Sequence, residues 1–63
     1  MSIQDKVYRL RRFISENPSL ASIPIAVVGG KPITVRDALS MLERGENVQQ
    51  VTASLAKESN KWN

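Results

Sequence analysis

The stretch Ile25-Ala-Val-Val-Gly-Gly-Lys-Pro-Ile-Thr34 decides the fold. Ile25 to Val28 is rich in β-branched residues, and Gly29-Gly30 can take the positive φ angles of a tight hairpin turn. Thr34 is a natural helix N-cap, with Asp37 three residues on. The reading is a pair of short strands at 25–28 and 31–34, returning on each other and running straight into a helix. Pro32 has no N–H to give a ladder, so the return strand is expected to be a short edge strand. The register stays open: a loop of two or four residues sets Val28 opposite Lys31 and Ala26 opposite Ile33, and a loop of three sets Val27 opposite Ile33.

Upstream, Ile3, Val7, Leu10 and Ile14 recur in steps of four, three and four, which gathers them on one stripe of a helix over 3–15, with Phe13 widening an edge. Ser2 can cap its start with Asp5, and Asn17-Pro18 supplies the stop. The connector from Asn17 to Pro24 is expected to be an anchored loop whose Leu20 and Ile23 drop into the core. Downstream, Val35, Ala38, Leu39 and Leu42 make the buried face of a helix over 35–44, with Met41 at its edge. Gly45 sits where a left-handed C-terminal cap belongs, and Asn47 can cap a last helix over 48–58. There Val48, Val51, Thr52 and Leu55 align, and a continued helix would bring Trp62 onto the same stripe. The expected fold class is therefore α+β: a small single domain spanning 1–63, mostly helical, with helix, β-hairpin, then two helices joined by a tight turn.

Composition narrows the function. A chain of 63 residues leaves a thin margin for a core, and with no Cys and no His it has neither disulfides nor the usual zinc ligands. Good packing or self-association must compensate. The charged residues, 24% of the chain at net +3, fall short of the signature of disorder. No apolar run is long enough for a signal sequence or a membrane span, so the expected compartment is the cytoplasm, with no membrane partner. The basic excess sits mainly on the first helix, where Lys6, Arg9, Arg11 and Arg12 face only Asp5 and Glu16.

The motifs are sparse. Val28-Gly-Gly-Lys-Pro sets glycines beside a lysine, as a phosphate-binding loop does, but Pro32 removes a backbone donor and no Lys-Ser or Lys-Thr opens a helix; it reads as a plain turn. In Ala38-Leu-Ser-Met-Leu-Glu-Arg-Gly-Glu-Asn-Val-Gln-Gln-Val-Thr-Ala-Ser-Leu55 an alanine lies seven residues before the turn glycine, and apolar residues follow it by six and ten. These 18 residues resemble the first two helices of the helix-turn-helix domain in resolvase and invertase recombinases, through Ala38, Met41, Leu42, Gly45, Val51 and Leu55. In that family the base-reading helix follows the segment matched by Leu55, whereas here residues 56–63 are expected to be too short for another helix.

The outer face of the first helix carries more chemistry. Tyr8 lies about 140° and Arg12 about 180° from the buried stripe, one turn apart, with Arg9 close by. An exposed aromatic beside guanidinium groups can stack a base, hold a phosphate or anchor a protein. The same residues also read as a solvated face laced by Asp5–Arg9 and Arg12–Glu16 pairs. Trp62 reads equally as an interface anchor or as packing across the last helix. The candidate partner-binding residues are Tyr8, Arg9, Arg11, Arg12, Lys31 and Trp62.

No catalytic, cofactor or metal site is legible, because the hydroxyls, lysines and six carboxylates are scattered without a visible base or orienting partner. The expected function is a non-enzymatic protein-interaction or assembly module, homo-oligomeric, meeting itself and another protein. The alternative is a small nucleic-acid-binding or transcription-regulatory protein using the basic face of the first helix. Its few phosphate contacts imply weak, sequence-independent, salt-sensitive binding. Clustering of the first helix's cations with Lys31 or Lys61 would favour nucleic acid, and burial of that helix in a dimer would favour assembly.

Overall fold

The computed structural model describes residues 3–62, so the Ser2 cap lies outside the described residues. The elements run α1 (Ile3–Glu16), a 3₁₀ turn (Leu20–Ser22), β1 (Pro24–Val28), β2 (Lys31–Thr34), α2 (Val35–Arg44), α3 (Val48–Lys57) and α4 (Ser59–Trp62). The order of helix, hairpin and helices matches the α+β reading, and α1 packs on α2 while α2 and α3 cover the hairpin. The core takes Leu10 from α1, Ala21 from the 3₁₀ turn, Val28 and Ile33 from the hairpin, Val35, Ala38 and Leu42 from α2, Val51 and Leu55 from α3, and Trp62 from α4. Val7 and Ile14 of the α1 stripe pack against this core, whereas Ile3 at its start is exposed.

The hairpin adopts the two-residue loop. Val28 pairs with Lys31, Val27 with Pro32 and Ala26 with Ile33, and the ladder resumes at Pro24 and Thr34 after a bulge. Gly29 and Gly30 hold φ angles of 60° and 80°, the pair of positive values a type I′ turn requires. The bulge at Ile25 explains why two consecutive residues, Ile25 and Ala26, both pack against the core, which a regular strand's alternation forbids. Val28 and Ile33 face inward, and the Val27–Pro32 pair faces solvent, with Val27 62% exposed.

Strand passes into helix through a capping box. The Asp37 amide donates to Thr34 Oγ1 at 3.1 Å, and the Thr34 amide donates to Asp37 Oδ2 at 3.0 Å. α2 ends at Gly45, at φ 74°, with the Gly45 amide donating to the Leu42 carbonyl at 3.2 Å and the Glu46 amide to that of Met41 at 2.8 Å, the Schellman pattern.

Several expectations are corrected. Leu20 and Ile23 do not enter the core; both are exposed, and the small Ala21 between them is buried. The segment after Pro18 winds into a 3₁₀ turn over Leu20–Ser22 that leads into extended backbone at Ile23, and this turn buries Ala21 while Leu20 and Ile23 on either side stay exposed. Asn47 stands at the N-cap of α3, but its side chain makes no capping bond. Its φ of 48° is left-handed, away from the extended backbone from which a cap side chain reaches the first N–H groups. The last helix does not run unbroken over 48–58: α3 stops at Lys57, Glu58 interrupts it at φ −105° and ψ 25°, and the segment judged too short for another helix forms the single turn α4.

Candidate functional site

Trp62 explains that break. In a continuous helix it would sit about 10 Å along the axis from Leu55. Folded back, its indole Nε1–H donates to the Leu55 carbonyl at 2.8 Å, and its ring is 6% exposed. A buried Trp needs a partner for its N–H, and the end of α3 provides one. Of the two readings of Trp62, interface anchor or packing across the last helix, the structure shows it packed, with the little surface it retains lining a groove.

That edge forms part of an open groove of about 430 Å³ between the outer side of α1 and α4. Arg9, Arg12, Phe13 and Glu16 line it from α1, Asn17 closes one end, and Asn60, Lys61 and Trp62 line it from α4. Helical spacing brings Arg9, Arg12 and Glu16 to one side of α1, and the turn at Glu58 swings Lys61 in to meet them. The charge is three cations against one carboxylate. Two of the cations are loosely held: Arg12 Nε pairs with Glu16 at 3.3 Å, and Lys61 Nζ pairs with Glu58 at 3.1 Å. Exposed pairs of this kind contribute about 0–1 kcal/mol and yield to a competing anion. Arg9 has no such partner among the described residues.

Tyr8 lies beside this groove, 65% exposed and one helical turn before Arg12. The remaining candidates are elsewhere. Arg11 projects toward α2, where its guanidinium pairs with Glu43, a brace between two helices. Lys31 ends the hairpin turn and lines a second groove with Asp37, Arg44 and Glu46. In that groove cations and carboxylates cancel, Arg44 being paired with Glu46 at 3.5 Å and Asp37 engaged in the capping box. Of the candidate residues, Arg9, Arg12 and Trp62 line this groove together with Lys61, Tyr8 lies outside its lining one turn from Arg12 on α1, and Arg11 and Lys31 lie elsewhere.

Phe13, Glu16, Asn17 and Asn60 complete the groove and lie outside the candidate set read from the sequence. Nothing in the residue pattern marks them, since the groove exists only because α4 folds back. Chemically the groove offers positive charge, carboxamide donors and an aromatic floor of Phe13 and Trp62, and its lining contains no hydroxyl or thiol. Among the described residues no group of three His, Cys, Asp or Glu gathers as a metal site would, and no helix is long and apolar enough to cross a membrane. The chain matches no protein-family model, no curated protein and no solved structure.

Proposed function

We propose that this protein is a non-enzymatic binding module that holds the phosphates of a nucleic acid in the groove between α1 and α4. The observation that carries the reading is the convergence of Arg9, Arg12 and Lys61 on one open groove with a single carboxylate among them. Cations of α1 meeting Lys61 in one groove is the arrangement expected of the nucleic-acid alternative, and it supports that reading over the assembly module. With no hydroxyl, thiol or free carboxylate lining it, the groove has charge and hydrogen-bond donors to bind a phosphate and no group to attack one. Phosphate contacts carry affinity without sequence preference. The test is fluorescence anisotropy of a labelled oligonucleotide against wild type and Arg9→Ala/Arg12→Ala. Binding that weakens in the double variant supports the reading, and binding indifferent to it sinks it.

A second reading, self-association, draws on a different surface. The outer face of the hairpin exposes Val27 opposite Pro32, and Leu20 and Ile23 are exposed on the preceding turn. A two-stranded sheet is marginal alone and presents unpaired backbone groups at its edges, both of which a second copy can remedy. Light scattering after size exclusion should give a mass above the monomer that Val27→Lys returns to the monomer; a monomeric wild type at high micromolar concentration rejects this reading.

A further inference from the structure

Resting on the nucleic-acid reading, we infer that the ligand is single-stranded, its backbone following Arg12, Arg9 and Lys61 and one of its bases stacked on Tyr8. The juxtaposition is the argument. Tyr8 and Arg12 are four residues apart on α1 and separated by about 40° around its axis, so the phenol ring and the guanidinium share one solvent-facing strip. Tyr8 is 65% exposed and the only tyrosine in the chain. An exposed aromatic beside a track of cations is the pattern of single-strand binding, where the cations follow the backbone and the ring takes the face of a base.

A duplex fits this surface poorly. Its bases are stacked on one another, so Tyr8 would have no face to cover. Reading the major groove takes a helix or a two-stranded ribbon that can enter it. Here α2 and α3 are packed over the hairpin and α4 is a single turn that buries Trp62. The cations moreover line a concavity of about 430 Å³, the size of a small-ligand cleft, into which one sugar-phosphate chain can settle and a double helix cannot.

The test uses the whole chain with a labelled oligothymidylate of about 12 nucleotides, within the site sizes of single-strand binders, a duplex of the same length, and polyglutamate as an anionic polymer without bases. Anisotropy gives affinity, and emission of the lone Trp62, at the groove edge, reports whether the ligand lies there. At low salt the single strand should bind about tenfold tighter than the duplex, Tyr8→Ala should lose about tenfold, and Tyr8→Phe, which keeps the ring face, should bind like wild type. Equal or tighter duplex binding, or an unchanged Tyr8→Ala, overturns the single-strand inference while leaving the groove intact, provided Arg9→Ala/Arg12→Ala still weakens binding. Polyglutamate binding as tightly as the oligonucleotide, or oligonucleotide binding that ignores the arginine pair, overturns the nucleic-acid reading itself.

Discussion

Replacing Trp62 by alanine should bring the domain to the edge of unfolding. Burying an indole removes about 150–250 Å² from water, which at about 25 cal/mol per Å² is about 4–6 kcal/mol. A partly compact unfolded chain reduces such figures by about 10–40%, leaving about 2–5 kcal/mol, in line with the ~3–5 kcal/mol cost of truncating a buried Trp. The 2.8 Å bond from the indole to the Leu55 carbonyl adds a smaller share, about 1 kcal/mol. A core in a chain of this length rarely supplies more than about 3–5 kcal/mol in total. Trp62→Ala is therefore expected to abolish a cooperative melt or move its midpoint far down. Trp62→Phe keeps most of the packing, loses the N–H donor and should cost about 1–2 kcal/mol, a drop of about 4–8 °C for each kcal/mol in a domain of this size. Far-UV circular dichroism on heating measures both. An unchanged midpoint in Trp62→Ala would show that the side chain is free at the surface, and the groove built on α4 would go with it.

Three further outcomes follow from the fold. Gly30→Val should destabilise by about 1 kcal/mol or more, purely through the φ of 80° because a Cβ there would meet nothing within 4 Å; Gly29→Asn should be nearly silent, since Asn-Gly suits a type I′ turn. Thr34→Ala should cost about 1 kcal/mol by opening the capping box; a wild-type melt for either Gly30→Val or Thr34→Ala would contradict the hairpin-to-helix geometry. Leu20→Ser with Ile23→Ser should change stability by no more than about 0.5 kcal/mol, because both side chains are exposed, and a loss of several kcal/mol would return them to the core.

The parts of this fold that could be read from the chain are those fixed by local chemistry. The i, i+3 box of Thr34 and Asp37, the left-handed Gly45 and the paired glycines of the turn each depend on residues within a few positions, and each is found where its residues predict. The alternation of α1, α2 and α3 likewise names their inward faces, because helical period alone sets which residues share a side. Where a segment could turn either face inward, the pattern fails. Leu20 and Ile23 are correctly paired by spacing, but only contact with α1 and α2 decides that Ala21 points in. The groove was harder still: Arg9 and Arg12 were legible as neighbours, whereas Lys61 joins them only because Trp62 finds the Leu55 carbonyl and breaks the helix at Glu58. Arg11 shows the converse, a cation indistinguishable from its neighbours in sequence until Glu43 of α2 claims it.

The most direct test of the binding groove is the salt dependence of oligothymidylate affinity. Each phosphate neutralised on a single strand contributes a slope of about −0.7 in log K against log salt. Arg9, Arg12 and Lys61 together should give wild type a slope of about −2, with affinity largely lost near 150 mM salt. Arg9→Ala/Arg12→Ala should bring the slope to about −0.7, while Lys31→Ala, which removes one charge from the far groove, should leave it at the wild-type value. A slope that is equal in wild type and the arginine variant, or that changes for Lys31→Ala by half as much as for the arginine pair, would mean that the charge acts diffusely and that no groove holds the strand.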